Sequence, residues 1–289
     1  MTWLTESLSD WLKDGLIEAI MNKFENMFDS INNQVESIAG NIGQTPQEWN
    51  ANVFTMIRAL SDTVILPIAG VILTFVVCYE LIHMLIERNN MHDFETYIIY
   101  KWIIKTFCAI FILSHTFDIV MGIFSLAQEV VNQSAGVITG SLRLTADATS
   151  ADFRTQIEAM GVWELAGLFL EMFIIDFCFW VMSVVIFIII FGRMIEIFLT
   201  VSVAPIPLAT MANREWGQIG NNYLKLLFAL GFQCFFIMVC IGIYAALVQN
   251  IPTAANVHES IWEAAGYALL LVFCLFKSSS LSKAIFGAR

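Results

Sequence analysis

Apolar residues follow one another almost without interruption from Trp163 to Met211, a stretch of about 49 residues. One helix needs only about 20 apolar residues to cross the hydrocarbon core of a bilayer, so this stretch is too long for a single plain crossing. Near its end, Pro205 and Pro207 interrupt the helical pattern. Non-helical backbone at membrane depth is tolerated only where protein or a water-filled cavity covers its polar groups. The pattern therefore predicts a polytopic membrane protein with a broken helix beside an internal cavity or a subunit interface.

The remaining apolar segments complete an all-α membrane domain over residues 51–289. We predict about five transmembrane helices, with crossings at about 53–86, 97–126, 162–190, 223–248 and 261–276. Pro67 lies inside the first crossing and predicts a kink, because proline cannot donate to the carbonyl four residues earlier. Residues 127–161 are interpreted as a polar outer loop and residues 191–211 as a broken or re-entrant segment. A short extra helix over residues 193–211 would instead give six crossings.

The first 50 residues form a separate, acidic and amphipathic region. Apolar residues recur there at steps of three and four, which predicts one or two helices over residues 3–38. The opposite face carries the acidic residues Glu6, Asp10, Asp14, Glu18, Glu25 and Asp29. This pattern fits a helix that lies in the membrane interface or on the membrane domain. The steps of four, three, four and three that follow Phe24 leave open an oligomer contact through a short heptad-like seam.

Composition and charge limit the classes of partner. Hydrophobic residues make up 58% of the chain and charged residues 13%, and the net charge is −11. Such an acidic chain is not expected to bind nucleic acid directly, because nucleic-acid-binding domains are usually basic along one face. The first ten residues have no positive charge and no apolar core, so we predict no cleavable signal peptide. The six cysteines all lie in apolar segments without metal-ligand spacing and are interpreted as small buried side chains.

The positions of lysine and arginine predict the orientation in the cytoplasmic membrane of a bacterium. Nine of the fourteen basic residues are assigned to the cytoplasmic side: Arg88, Lys101, Lys105, Arg193, Arg214, Lys225, Lys277, Lys283 and Arg289. Residues 127–161 contain four acidic residues against Arg143 and Arg154, residues 250–259 contain no lysine or arginine, and both segments are placed on the opposite side. Five crossings then place the amino-terminal region outside and the carboxyl terminus inside. Lys101 and Lys105 are expected to extend their side chains to the cytoplasmic interface.

Ionisable side chains inside the predicted crossings supply the candidate functional positions, because such residues usually face a protein interior or a cavity. Three pairs are spaced three residues apart, which makes a local contact within each pair geometrically easy: Glu80 with His83, His115 with Asp118, and Arg193 with Glu196. Asp176 has no local partner and is interpreted either as an interhelical or cavity-lining carboxylate or as the outer end of the third crossing. We select as translocation-path or helix-packing positions Glu80, His83, Asp118, Asp176, Arg193, Glu196, Pro205 and Pro207. The sequence has no Walker loop, zinc-ligand spacing or nucleophile elbow, so no catalytic residue, metal site or cofactor site is predicted.

The chain resembles the TrbL-type family in the block from Gly192 to Ala209, which contains the run Ala-Pro-Ile-Pro-Leu-Ala, and in the following residues Glu215, Gly220 and 223–241. Members of this family are polytopic inner-membrane components of type IV secretion and conjugation systems, and this chain is similar to versions on Gram-positive integrative elements. The resemblance implies a non-catalytic channel or scaffold subunit that needs no cofactor. It also implies a homo-oligomer, such as a pentamer, that contacts other membrane subunits of the secretion system.

The same resemblance implies a translocation path for a DNA–protein substrate, with nucleic acid as cargo only and a transfer ATPase docked on the cytoplasmic side. Arg88, Arg214 and Lys225 are the candidates for that cytoplasmic partner surface. Gly231 and Gly242 would allow close helix packing between subunits. Two other functions stay open. A secondary transporter often has discontinuous helices near its midplane site, and a membrane assembly factor would have no conduit at all.

Overall fold

The computed structural model describes residues 2–87, 96–139, 146–249 and 257–288, and every regular element in these ranges is helical. In chain order the helices are α1 (Thr2–Ile42), α2 (Pro46–Trp49), α3 (Ala51–Leu60), α4 (Leu66–Glu87), α5 (Thr96–Ser114), α6 (Thr116–Thr139), α7 (Ala146–Ala159), α8 (Val162–Ser202), α9 (Pro205–Ala209), α10 (Gly217–Gln249) and α11 (Val257–Phe286). A π-helical turn, Ser61–Ile65, joins α3 to α4, and a 3-10 turn, Thr210–Ala212, follows α9. The predicted all-α fold is confirmed.

Four helical stretches in the described ranges are long and apolar enough to cross a membrane. They are Ala51–Ile86, Val162–Ser202, Gly217–Val248 and His258–Phe286. A fifth span results if α5 and α6, which are bent by 69° relative to each other, are counted as one broken crossing. The chain is therefore a polytopic helical membrane protein, as the apolar pattern predicts.

The helix that contains the third predicted crossing extends beyond it. α8 is one continuous helix of 41 residues, about 60 Å long at 1.5 Å per residue. It runs through the predicted crossing at 162–190 and on into the predicted broken segment, ending only at Ser202. Residues 193–202 thus belong to α8, and the only α-helix between Ser202 and Gly217 is the five-residue α9.

The two prolines explain where α8 stops. Pro205 has no N–H to donate to the carbonyl of Val201, and that carbonyl accepts instead from the N–H of Ala204 at 3.1 Å. The same shift to a donor three residues ahead occurs before Pro207. The chain tightens for one turn and then resumes as α9, so local backbone chemistry fixes the break.

Contacts between residues divide the chain into two compact units. Unit 1 comprises Met1–Ile42, Gln133–Ile190 and Ile237–Lys277, and unit 2 comprises Gly43–Asn132, Phe191–Phe236 and Ser278–Arg289. In unit 1, α1 packs on α7, where Phe24 stacks on Phe153 with ring centroids 4.0 Å apart. Lys13 Nζ donates to the carbonyl of Glu158 at 2.8 Å. The one or two helices predicted over residues 3–38 are the single helix α1, and the seam side chains Phe28, Ile31, Val35 and Ile38 lie outside the described side chains.

In unit 2, α3, the π-helical turn and α4 form one continuous span of 36 residues. The π-helical turn ends two residues before Pro67, and the N–H of Leu66, the residue after the turn, donates to the carbonyl of Ser61. Such π-turns accommodate a residue that cannot join the ordinary hydrogen-bond pattern. The irregularity expected at Pro67 is thus a widened turn in an otherwise continuous helix.

Two predictions for residues 97–161 differ from the structure. The predicted crossing at 97–126 is two helices, with the bend at His115. The predicted loop at 127–161 is helical in its described parts, because α6 continues to Thr139 and α7 follows. Both polar helices bury apolar residues at a spacing of four, Ala127 with Val131 in α6 and Phe153 with Ile157 in α7. The polar composition of residues 127–161 predicts a loop, although apolar residues in this range recur at the spacing of a helix face.

Candidate functional site

The candidate functional site is built around residues 203–216 of unit 2, which we call the proline segment. This segment contains α9 and the 3-10 turn, and it packs against α4 and α5. Ala209 and Ala212 are buried beside Ala69, Leu73 and Val77 of α4. Small side chains on both sides allow the irregular backbone to lie close to a membrane-spanning helix. Protein therefore covers the broken backbone, as a membrane environment requires.

Glu80 of α4 anchors the proline segment. Its side chain is only 4% exposed, and its carboxylate accepts from Lys105 Nζ at 2.5 Å, from Asn213 Nδ2 at 2.9 Å and from the backbone N–H of Arg214 at 3.3 Å. The carboxylate thus joins three separate elements: α4, α5 and the end of the proline segment. A buried carboxylate is stable only when it is paired and hydrogen-bonded, and Glu80 satisfies both conditions.

Asn213 connects Glu80 to the backbone that precedes α10. Its side-chain Oδ1 accepts from the backbone N–H groups of Glu215 at 2.7 Å and of Trp216 at 3.0 Å. The Trp216 ring stacks on Phe75 and Tyr79 of α4, with centroids 5.6 and 5.5 Å away. The turn is therefore held to α4 by an amide and by stacked rings.

The turn of the proline segment also depends on a close approach of α10. Pro205 is buried at the start of α9, and the Pro207 carbonyl accepts from Thr210 Oγ1 at 2.7 Å. A Cβ atom added at Gly220 would lie 2.7 Å from that same carbonyl oxygen and 2.1 Å from Cγ of Met211. Only glycine fits at this position without movement of the backbone.

Among the residues that the structure describes, no carboxylate pairs with the buried cation Arg193. It is 6% exposed, its Nη2 points to the carbonyl of Leu230 at 3.5 Å, and its Nη1 lies 4.0 Å from Sδ of Met194. Within the described part of the chain its Nε has no hydrogen-bond partner. A buried guanidinium so weakly compensated is costly, and ionisable residues of this kind in membrane proteins are usually kept for a function.

In the contacts of the described residues, members of the three predicted local pairs meet groups outside their pairs. Glu196 binds Lys283 at 2.8 Å instead of Arg193. His83 stacks on Tyr79, while Glu80 is bound by Lys105 and Asn213. Residues three apart share a broad helix face but still differ by about 60° in direction, enough for each to meet a different neighbouring helix.

His115 and Asp118, the remaining predicted pair, also contact other groups. His115 Nδ1 contacts the carbonyl of Phe111 at 3.1 Å, whereas the Asp118 carboxylate lies 3.7 Å from the guanidinium of Arg58. Each member again meets a group outside the pair.

Asp176 and its neighbours belong to unit 1. Lys23 of α1 pairs with Asp176, and its ammonium group lies 5.4 Å from the centroid of the Phe173 ring. The Glu171 carboxylate lies 2.7 Å from Nδ1 of His258 and accepts a hydrogen bond when that nitrogen carries the proton. The structure thus places Asp176 as an interhelical carboxylate between α1 and α8.

The predicted cytoplasmic surface is described only in part. Arg214 and Lys225 are exposed in unit 2, and Arg88 lies outside the described residues. Lys105 does not extend freely to an interface but reaches Glu80, while Lys101 is exposed. Gly231, proposed for contacts between subunits, packs within the chain, since a Cβ atom there would lie 2.9 Å from Cβ of Ala127.

Sequence reasoning missed Asn213, Trp216 and the anchoring role of Lys105. One signal was present, because an asparagine in a turn often accepts a hydrogen bond from the backbone two residues ahead. No sequence signal relates Asn213 to Glu80, which is 133 residues away. In the described residues, no group of three or more His, Cys, Asp or Glu side chains could hold a metal ion.

Arg193→Ala is expected to lower the membrane level of the protein and its recovery with partner subunits more than Lys101→Ala does. The physical reason is that Arg193 packs its whole side chain in unit 2, whereas Lys101 is exposed. Arg193→Leu is the matched control, since it refills most of the volume without a charge. Equal levels and equal recovery for the two alanine variants would contradict the prediction.

Fold and site together define a class: polytopic helical membrane proteins with a proline-broken helix held by a buried carboxylate. A family model described as TrbL/VirB6 plasmid conjugal transfer like protein matches residues 31–205, more than half of the 289-residue chain. The chain belongs to this family and is a membrane component of conjugal transfer by type IV secretion. Searches of curated proteins and of solved structures found no match. The matched range ends at Pro205, so the resembling residues from Ile206 onward lie beyond it.

Proposed function

We propose that this protein is a non-catalytic channel or scaffold subunit of a conjugative type IV secretion machine. In this role it helps to form the path of a DNA–protein substrate across the cytoplasmic membrane. The observation that carries the proposal is the family match over residues 31–205, which includes α3 to α8. The anchored proline segment supports it, because irregular backbone at membrane depth is typical of proteins that line a cavity or a subunit interface.

Other subunits are the expected partners. We propose that several copies assemble as a homo-oligomer, with a pentamer as one arrangement, and contact further membrane subunits of the machine. A cytoplasmic transfer ATPase would dock near the exposed residues Arg214 and Lys225, which lie at and after the end of the proline segment. The amino-terminal region would then be outside and the carboxyl terminus inside, in keeping with the distribution of basic residues.

A mating assay tests this function. An in-frame deletion of the gene in its native host is expected to reduce transfer by several orders of magnitude, and complementation from a plasmid is expected to restore it. Unchanged transfer would contradict the proposal and direct attention to substrate uptake by the purified protein in vesicles. Crosslinking of the translocated substrate to residues 203–216 would separate a conduit from a scaffold, because only a conduit contacts the cargo during transfer.

A further inference from the structure

The exposed surface of unit 2 changes from mostly apolar to mostly polar at the bend between α5 and α6. Among the described side chains of α5, Lys101 and Ser114 are the polar exceptions on an exposed surface that is mostly apolar: Tyr97, Ile99, Tyr100, Ile103, Ile104, Phe107, Cys108, Ile110 and Phe111. On the part of α6 that belongs to unit 2 they are mostly polar or small: Asp118, Gly122, Ser125, Leu126, Glu129 and Asn132. A helix that faces lipid exposes apolar residues, so α5 has a lipid-facing surface and α6 does not.

The length of α5 is sufficient for a crossing by itself. Its 19 residues measure about 28 Å, and the hydrocarbon core of a bilayer is about 30 Å thick. Two tyrosines, Tyr97 and Tyr100, are exposed near its beginning, as expected of residues at a membrane–water interface. The far end of α5 therefore comes to the opposite interface close to His115, where the chain turns by 69°.

A group of exposed charges marks that far end. Asp118 in the first turn of α6 lies 3.7 Å from the guanidinium of Arg58, which is also 3.7 Å from the Asp62 carboxylate. These three side chains are 51%, 48% and 67% exposed for Arg58, Asp62 and Asp118. Three exposed charges are not tolerated in hydrocarbon, so this position lies at the level of the headgroups or beyond.

The apolar face of α6 is covered by protein. Phe117, Val120 and Phe124 are buried in one core cluster with Phe54 and Ile57 of α3, and the same cluster includes residues of α8, the proline segment and α10. Further along, Gln128 Nε2 donates to the carboxylate of Glu48 at 3.1 Å and also to the carbonyl of Gly43. α6 thus packs through its apolar face on α3 and on other helices of unit 2, and its exposed side chains are mostly polar.

We infer that α5 crosses the membrane alone and that α6 is an interfacial helix, packed on α3 and turned with its polar face to the lipid headgroups and water. This assignment differs from a single broken crossing, in which the chain would stay in hydrocarbon beyond His115. It also differs from a re-entrant pair, in which the two ends of α5–α6 would return to the same side. The inference requires only that the chain spans a membrane, so it is independent of the proposed role in transfer.

Cysteine accessibility distinguishes these arrangements. In a variant whose six native cysteines are replaced by serine or alanine, single cysteines are introduced by Tyr97→Cys, Ile104→Cys and Ser125→Cys, all at exposed positions. A membrane-impermeant maleimide is then applied to intact cells and to inverted vesicles. Ile104→Cys is the matched control for an exposed residue in hydrocarbon and is expected to react only after detergent is added.

The expected result is that Tyr97→Cys and Ser125→Cys react from opposite sides of the membrane. Reaction of both from the same side would establish a re-entrant pair and overturn the inference. Protection of Ser125→Cys until detergent is added would show that α6 itself lies in hydrocarbon, and would overturn it as well. Membrane levels equal to those of the cysteine-free parent exclude misfolding as the cause, and the mating assay reports separately on the proposed function.

Discussion

Glu80→Leu is expected to destabilise unit 2 by about 3 kcal/mol, the lower end of the effect seen when one partner of a buried ion pair is removed. The lower end applies because Lys105, the cationic partner, is 34% exposed and regains some hydration. Asn213 Nδ2 and the N–H of Arg214 lose their acceptor at the same time. The midpoint of thermal unfolding in detergent should fall, and the transfer frequency should approach that of the gene deletion, because the proline segment is released.

Matched variants make this prediction specific. Glu80→Gln retains an oxygen acceptor for Asn213 without the charge, and its effect should be smaller. Lys105→Leu, added to Glu80→Leu, removes the stranded cation and should restore part of the stability. Asp62→Asn, at an exposed carboxylate preceding the same helix, should change stability by no more than about 1 kcal/mol. Equal effects of Glu80→Leu and Asp62→Asn would show that Glu80 does not anchor the segment.

Gly220→Ala is expected to have the second largest effect, a loss of about 1–3 kcal/mol from overpacking. The added Cβ atom would lie 2.7 Å from the Pro207 carbonyl oxygen, which belongs to the backbone and cannot rotate away as a side chain can. α10 and the proline segment must therefore separate. Thermal unfolding of the purified variant measures the loss, and a mating assay shows whether the displaced segment still supports transfer.

Two further variants distinguish the clash from a general effect of alanine. A Cβ atom at Gly122 of α6 would have open space around it, so Gly122→Ala should be neutral or slightly stabilising. Met211→Ala, combined with Gly220→Ala, removes the side-chain clash at 2.1 Å but leaves the backbone clash, and it should rescue only in part. Wild-type stability of Gly220→Ala alone would mean that α10 and the segment are not closely packed.

The sequence predicts individual residues of the candidate site but not the contacts between them. Glu80, Arg193, Pro205 and Pro207 were selected because charges and prolines are exceptional inside apolar segments. Their partners were not predictable in the same way. Local spacing suggested that Arg193 binds Glu196, whereas Glu196 binds Lys283, 87 residues away. Helical spacing indicates which residues can meet on one helix and says nothing about the neighbouring helix that each of them faces.

The sequence by itself determined the features that depend on local chemistry. The long apolar runs predict membrane-spanning helices because twenty apolar residues match the thickness of hydrocarbon, and Pro205 and Pro207 end α8 because they lack an N–H group. Only the tertiary structure decided that Glu80 holds Asn213 and that α6 turns away from α5 to pack on α3. These outcomes depend on contacts between residues far apart in the chain, and such contacts form only after the helices have packed.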